Sequence, residues 1–239
     1  MVKWLAMLLC VVSMTGCAIN LPFNNRLDYS RVSEAKRLAS PKTTPVALEW
    51  VPVTFPTRID IQGASGFVGG GSNTRIPTGV ALSNRILEAL DVSVGIDPAS
   101  KHLLEMNILN AETKFEYSAG MSNITPGIDY GWCSLDIEFD YDGSVWSEKF
   151  VSEEKDPTIG ASSQTALLDK VWDNIALQVA KNVNTKVAEL PRQENYRESE
   201  QYRRKKVERL QKIAAEETEK ARLKKEAEEA FARAARGRY

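Results

Sequence analysis

The side chains that could do chemistry in this 239-residue chain are three cysteines, a single histidine and a row of carboxylates. Cys133 and His102 would be the nucleophile and the base of a thiol-based site. If the two strands that carry them pair as a hairpin, Cys133 lies beside Thr113 or Phe115, on the order of 30 Å from His102. We therefore predict that Cys133 is a small core residue and that the chain has no catalytic residues.

Asp136, Glu138 and Asp140 alternate along one strand-like segment, which suggests a metal site or a hydrolase. The stretch EFDYDG, beginning at Glu138, is like the start of a calcium loop, but Lys149 stands where the loop needs its last acid. Glu138 and Asp140 share a face, as the paired carboxylates of glycoside hydrolases do. The sequence indicates no pocket that would keep one of them protonated and the other ionised. We predict a charged outer row with no metal and no cofactor, and rank an envelope hydrolase last.

The first seventeen residues combine a positive charge with a short apolar run. Lys3 precedes WLAMLLCVVSM (4–14), which is shorter than the roughly 20 residues that a transmembrane helix needs. Cys17 follows, preceded by Thr15 and Gly16. A cysteine thiolate is a strong nucleophile near neutral pH and can accept an acylglyceryl group, while small neighbours let a peptidase approach. The pattern predicts a signal peptide.

Met14-Thr15-Gly16-Cys17 resembles the bacterial lipobox, which has an aliphatic residue, two small residues and a cysteine. The resemblance implies cleavage between Gly16 and Cys17, a diacylglycerol group on the Cys17 sulfur, and an acyl chain such as palmitate on the new N-terminus. Two or three chains anchor firmly, since each buried CH₂ contributes about 0.8 kcal/mol. In this family the residue after the cysteine determines sorting. Here that residue is Ala18 and not Asp, which implies that the protein is anchored in the outer membrane and faces the periplasm. The alternative is an ordinary secretory leader.

The chain divides into four regions by composition. Residues 1–16 are the predicted lipoprotein signal peptide, and residues 17–45 are polar and lack sustained periodicity. We expect 17–45 to form a lipid-anchored tether with a mean reach on the order of 30 Å if it is flexible. Residues 46–190 are predicted to form a periplasmic α+β domain, and residues 191–239 a charged basic helical tail.

Alternating and helical periodicities predict the elements of the domain. They are strands at 46–53, 58–62, 102–117 and 131–141, a loop at 63–79, and helices at 80–90 and from Ser162 or Ser163 to Leu190. A phase slip near Ile108 predicts a β-bulge. The order predicts an α+β fold, in which an antiparallel sheet with two helices packed on one face is followed by a long charged C-terminal helix.

Asp142-Gly143 predicts a two-residue hairpin turn, because both positions favour positive φ. A turn at this place fixes the register of the strands on either side. The predicted cross-strand pairs are Phe139–Trp146, Leu135–Phe150, Asp136–Lys149 and Ile137–Glu148. The last pair places Glu148 on the apolar side of the hairpin, and the sequence gives no reason for a carboxylate there.

Charge is divided unequally along the chain. Residues 18–190 carry 15 Lys/Arg and 22 Asp/Glu, a net charge of −7, whereas residues 191–239 carry 15 and 10, a net charge of +5. We interpret the tail, with its cluster Arg203-Arg204-Lys205-Lys206, as a segment that meets an anionic partner; the alternative is a merely solvated tail. Its heptad positions mix apolar and charged residues, which favours a single helix over a coiled coil; the coiled coil remains an alternative.

Trp132 lies on the polar side of its predicted strand, next to the acidic row. The helices are expected to leave this sheet face uncovered. An aromatic side chain among charges on an uncovered face is typical of a partner-binding surface. We therefore take Trp132, Asp136, Glu138 and Asp140 as candidate contacts, with an accidental exposed aromatic as the alternative.

Five segments follow one another over about residues 50–185: RIDIQGAS, NRILEAL, LLEMNILNAETKFEYS, SLDIEFDYDGSVWSEKF and ALLDKVWDNIALQVAKNV. Their order and pattern resemble those of outer-membrane lipoproteins of the YajG type. The basic tail has no counterpart in that family. Our leading hypothesis is a non-enzymatic accessory or scaffold lipoprotein of a cell-envelope assembly, whose partner is an envelope protein or peptidoglycan and not nucleic acid. The alternative is a module that binds a lipid or small ligand between sheet and helices.

Overall fold

The computed structural model describes residues 19–20, 23–39, 44–51, 59–62, 73–116, 127–158, 164–193 and 195–236. The predicted signal peptide, with Gly16 and Cys17, lies outside these residues, and so does the helix cap predicted at Ser162 or Ser163.

The described residues form an α+β fold, as the sequence predicts, and its last element is the long charged helix. A short 3₁₀ turn, Tyr196–Glu198, precedes that helix. The strands are β1 (Ile19–Asn20), β2 (Ala47–Val51), β3 (Ile59–Gln62), β4 (Asn73–Ile76), β5 (Leu103–Glu116), β6 (Gly127–Tyr141) and β7 (Ser144–Thr158). The helices are α1 (Tyr29–Leu38), α2 (Thr78–Ser93), α3 (Gln164–Glu189) and α4 (Glu200–Arg236).

Two sheets are present in the described part of the chain. The large sheet has the order β2-β5-β6-β7, and the small sheet has the order β1-β4-β3. The pairing of β2 with β5 is parallel, which the antiparallel prediction did not include. A parallel pair needs a long crossover, and here the connection runs through β3, β4 and α2. Residues 73–76, predicted as part of a loop, form β4.

The hairpin between β6 and β7 has the predicted register. Asp142 and Gly143 form the turn with φ values of 48° and 92°. A β-bulge lies between Ile108 and Asn110, also as predicted. Glu148 reaches Asn182 of α3, whose Nδ2 lies 3.4 Å from its carboxylate, because β7 is the edge strand nearest that helix. The confirmed pairs are Phe139–Trp146, Leu135–Phe150, Asp136–Lys149 and Ile137–Glu148.

The core lies between one face of the large sheet and helices α2 and α3, with α1 packed against both helices. Apolar residues on alternate positions of β6 face residues of α3 that recur at helical spacing. None of the described helices has both the length and the apolar character needed to cross a membrane. The fully buried residues include Leu82 and Ile86 of α2, Leu135, Ile137 and Phe139 of β6, and Val171, Trp172, Ile175 and Val179 of α3.

Residues 23–39, inside the range predicted as a tether, pack against the domain. The Phe23 ring lies 5.1 Å from the Trp172 ring, and Leu27 and Ala35 are buried. The carboxylate of Asp28 caps α1 by accepting a hydrogen bond from the backbone N–H of Ser30. A few apolar residues are enough for this packing, so the polar composition of the segment did not indicate that it packs against the domain.

Arg85 of α2 is a fully buried cation between two carboxylates of α3. Its Nε lies 2.7 Å from Asp173, and its Nη2 lies 2.6 Å from Asp169. Burial raises the pKa of both carboxyl groups, and the guanidinium charge acts against that rise. Asp173 also accepts a hydrogen bond from the backbone N–H of Asp28 at 3.3 Å, so the N-terminal segment is tied to the same cluster.

Replacing Asp173 by alanine should lower the free energy of unfolding by about 3–5 kcal/mol, because the buried Arg85 charge loses a partner. The matched control is Asp91→Ala, an exposed carboxylate on α2, which should change stability little. Urea unfolding followed by circular dichroism measures both. Equal, small effects of the two substitutions would show that the Arg85 cluster does not stabilise the fold.

Candidate interaction surface

The face of the large sheet that turns away from α1, α2 and α3 carries the acidic residues; we call it the outer sheet face. Leu135, Ile137 and Phe139 point into the core, so Asp136 and Glu138 between them point outward. Strand alternation therefore places the acidic row on the face that the core helices leave open.

One half of the outer sheet face is covered by the start of α4. Tyr196 and Tyr202, on either side of the α4 N-terminus, are buried together with Ala47 and Leu103 in a second apolar cluster. The two tyrosine rings lie 5.6 Å apart. This cluster fixes the point at which the tail meets the sheet.

Arg209 of α4 forms the most completely paired contact with the outer sheet face. Its Nη1 and Nη2 donate to the two carboxylate oxygens of Glu105 at 2.9 and 3.0 Å, which is a bidentate pair. Glu105 is 2% exposed. The hydrogen bonds to Glu105 raise the pKa of Arg209, so the guanidinium stays charged.

Glu49 of β2 receives two donors from α4. Tyr202 Oη donates to one carboxylate oxygen at 2.8 Å, and Lys206 Nζ donates to the other at 3.0 Å. Burial acts to raise the pKa of Glu49, but the hydrogen bonds from Tyr202 and Lys206, together with the charges of Lys206 and Arg197, outweigh it and leave the pKa below its ordinary value. The same contacts raise the pKa of Lys206.

Asp140 of β6 is buried and has three partners. Its Oδ1 accepts a hydrogen bond from the backbone N–H of Gly143 at 2.8 Å. Its Oδ2 accepts one from Tyr196 Oη at 3.3 Å and pairs with Lys205 Nζ. Burial, followed by the charge of Asp140, raises the pKa of Tyr196, so the phenol remains a donor.

The cluster at residues 203–206 is divided between the sheet and the solvent. Lys205 and Lys206 turn toward the outer sheet face, as described above. Arg203 is exposed, and Arg204 is exposed too, with its Nε 3.3 Å from Glu200 on the same helix. Half of the predicted basic cluster therefore pairs within the chain, and half remains accessible.

Five residues of this contact were not identified from the sequence, although the opposite net charges of body and tail pointed to it. From the sequence, those charges indicate an affinity for an external anionic partner or a merely solvated tail, and neither interpretation includes a contact within the chain. The second signal was two tyrosines at the start of an otherwise polar tail. The five residues are Glu49, Glu105, Tyr196, Tyr202 and Arg209.

The second half of α4 leaves the outer sheet face. Ile213 is its last strongly apolar contact, in a groove of about 460 Å³ that Glu138 and Leu109 also line. Every residue from 217 to 230 is exposed. Helical rise makes residues 217–236 about 30 Å long; we call this range the distal segment. On the solvent side of α4, Val207 is 53% exposed and Leu210 is 58% exposed.

The other half of the outer sheet face carries Trp132. The Nζ of Lys114 lies 4.9 Å from the centre of the Trp132 ring, which is cation–π geometry. Asp136 lies 3.8 Å from the Nζ of Lys149, its predicted partner. Trp132 and Asp136 are only partly buried, so this half stays accessible in the described part of the molecule.

Cys133 is a core residue, as predicted. Its Sγ lies 3.6 Å from the hydroxyl of Thr113, and burial raises the pKa of the thiol to about 12. His102 lies at the far end of the strands, with Nδ1 2.7 Å from a carboxylate oxygen of Asp142. The structure therefore keeps the candidate nucleophile and the candidate base apart.

No family model matches the chain, and no curated protein does. A crystal structure of a Xanthomonas campestris protein of the family DUF330 is similar, with 15% identity, a TM-score of 0.37, and coverage of 71% of this chain and 93% of the other. An uncharacterized protein gives 13% identity, a TM-score of 0.30, and coverage of 72% and 99%. A Caulobacter crescentus protein provisionally named a lipoprotein gives 12% identity, a TM-score of 0.29, and coverage of 66% and 92%. These values are too low to support a conclusion about this chain.

Replacing Arg209 by alanine should cost roughly 1.5–3 kcal/mol of the contact between α4 and the sheet, because Glu105 is left buried without its partner. Hydrogen exchange in residues 200–213 should rise, while exchange in β5 and β6 should stay slow. The matched control is Arg222→Ala, which removes exposed pairs with Glu219 and Glu226. If both variants exchange like the wild type, Arg209 does not hold the helix.

Acidification should release the start of α4. The folded-state pKa of Glu49 is depressed, so its contribution to stability is complete above the unfolded-state value of 4.5 and is lost as pH falls through the lower folded-state value. Hydrogen exchange at about pH 3, corrected for the intrinsic rate, measures the release. Glu49→Gln should reduce the pH dependence, and an unchanged pH profile in that variant would contradict the assignment to Glu49.

Proposed function

We propose that this protein is a lipid-anchored, non-enzymatic scaffold at the periplasmic face of the outer membrane. Lipid on Cys17 holds the domain at the bilayer, and the distal segment of α4 contacts another component of the cell envelope. The proposal joins the lipobox-like residues 14–17 to the geometry of the tail. It assigns the protein a role that depends on position and not on a reaction.

The observation that carries the proposal is the way α4 is divided. Its first turns are bound to the outer sheet face by three sets of ion pairs, through Glu49, Glu105 and Asp140. Beyond this contact the same helix continues with all of its residues from 217 to 230 exposed. A helix that is fixed at one end and exposed along the other half holds an interaction surface at a defined angle from its domain.

The chemistry of the distal segment suits a polar partner. It carries charges of both signs, several of them paired along the helix, such as Arg222 with Glu219 and Glu226. Exposed pairs of this kind contribute little to stability and can be exchanged for pairs with another molecule. An envelope protein with a charged surface, or the carboxylates of peptidoglycan, would provide such partners in a salt-sensitive contact.

The alternative of a lipid or small ligand between sheet and helices gains no support from the described core. The side chains that face one another there, among them Leu82, Phe139 and Trp172, have no exposed surface and belong to one packed cluster. The space that a ligand would need is occupied by these side chains.

Photocrosslinking in cells tests the scaffold role. A benzophenone side chain in place of Leu223, which is exposed on the distal segment, should form crosslinks to an envelope component. The matched control replaces Val145, which has nearly the same exposure but lies at the start of β7. Crosslinks from position 223 that no longer form when isolated envelopes are irradiated in high salt, with none from position 145, support the proposal. Absence of crosslinks from position 223 contradicts it.

The anchor is tested in the same cells. Cys17→Ser should abolish the incorporation of labelled palmitate and move the protein out of the membrane fraction. Truncation after residue 216 serves as the matched control, because it removes the distal segment and leaves the lipobox intact. A Cys17→Ser protein that remains with the membrane as the wild type does would contradict the anchor.

A further inference from the structure

The chain enters the folded domain two residues after Cys17. Ile19 and Asn20 form β1, which pairs in parallel with Thr74 and Arg75 of β4. Successive Cα atoms are about 3.8 Å apart, so the Cα of Ile19 lies within roughly 7 Å of the Cα of Cys17. A group attached to Cys17 is therefore confined to the immediate neighbourhood of the small sheet.

The small sheet is itself fixed to the core. β4 pairs along its length with β3 on the side opposite β1. Ile76 at the end of β4 is fully buried, and two residues later Thr78 begins α2. Movement of β1 relative to α2 would require breaking the β1–β4 pairing or shifting a buried strand end.

The segment that follows β1 adds no slack. Only two residues separate Asn20 from Phe23, which packs on Trp172. Further along, the backbone N–H of Leu27 donates to Glu88 at 3.0 Å, and that of Asp28 donates to Asp173. Residues 23–28, inside the range predicted as a flexible tether, are thus held against α2 and α3.

Helix α2 separates the small sheet from the β6–β7 turn. Its sixteen residues extend about 24 Å. The small sheet lies at the N-terminal end. At the C-terminal end, Ile96 bridges to Val46 beside the start of the large sheet, and the β6–β7 turn closes over His102. A site near the small sheet and a site near this turn are therefore separated by the length of the helix.

We propose that the partner of the small-sheet end is the lipid surface itself: the domain rests against the headgroups through this end, with the β6–β7 turn pointing away. The inference depends on the proposed lipid at Cys17, and it names the surface that the anchor brings to the bilayer. A flexible tether over residues 18–45 would hold the domain on the order of 30 Å from the bilayer; the proposal replaces that distance with direct contact.

Energy transfer to the membrane tests this orientation. The lipidated full-length protein is placed in vesicles of phosphatidylethanolamine and phosphatidylglycerol that contain an acceptor on the headgroups. A donor is attached to Val80→Cys, in the first turn of α2, or to Lys101→Cys, near the β6–β7 turn; both positions are exposed. Cys133 does not compete for the label, because it is fully buried and the pKa of its thiol is about 12.

Transfer from position 80 should exceed transfer from position 101 by roughly twofold, since α2 separates the two ends by about 24 Å. A linker of about 20 Gly and Ser residues between Ala18 and Ile19 should remove the difference, because it restores a flexible tether. The same linker placed after Tyr239 is the matched control and should leave the difference unchanged.

Equal transfer from the two positions in the native chain, with binding to the vesicles intact, would overturn the orientation alone. Failure of the lipidated chain to bind, or equal binding by Cys17→Ser, would overturn the proposed anchor and the orientation with it. A difference between positions that survives the linker at residue 18 would show that lipid attachment does not set the orientation.

Discussion

The pairing of buried carboxylates on the outer sheet face with cations from α4 is the interaction on which the shape of the molecule depends. Glu105 and Asp140 sit on central strands and are almost completely removed from water. An ionised carboxylate in such a place is costly unless it is paired and hydrogen-bonded. The chain provides the partners from its own C-terminal helix, so the sheet and the tail form one unit.

Several pairs of this kind also determine how α4 lies. Tyr202, Lys206 and Arg209 follow one another at intervals of three and four residues, which places them on one side of a helix. Their partners Glu49 and Glu105 lie directly opposite one another on β2 and β5. Since two or more fixed pairs define both the position and the direction of a rigid rod, a short contact is enough to aim the distal segment.

The elements that could be predicted from the sequence are those whose signal is local. Asp142-Gly143 determines a turn and a register because both residues favour positive φ, and the phase slip at Ile108 locates the bulge. The contact between α4 and the sheet could not be derived in this way, because it depends on which of many charges meet. Ion pairs have no periodic pattern that distinguishes Glu105 from an exposed carboxylate such as Glu116. The packing of residues 23–39 was missed for a related reason, since it depends on Phe23 and Leu27 meeting residues far along the chain.

The contact between Asp28 and Asp173 joins residues 145 positions apart. It has a consequence for the order in which the domain is completed. A contact of such long range forms only after the intervening chain has been synthesised. The loss of chain entropy on closing so long a loop must be compensated before the contact adds to the stability of the fold. Residues 23–39 are synthesised before α3, and they are thus among the last to reach their native packing. During that interval, cleavage by proteases would be concentrated in this segment.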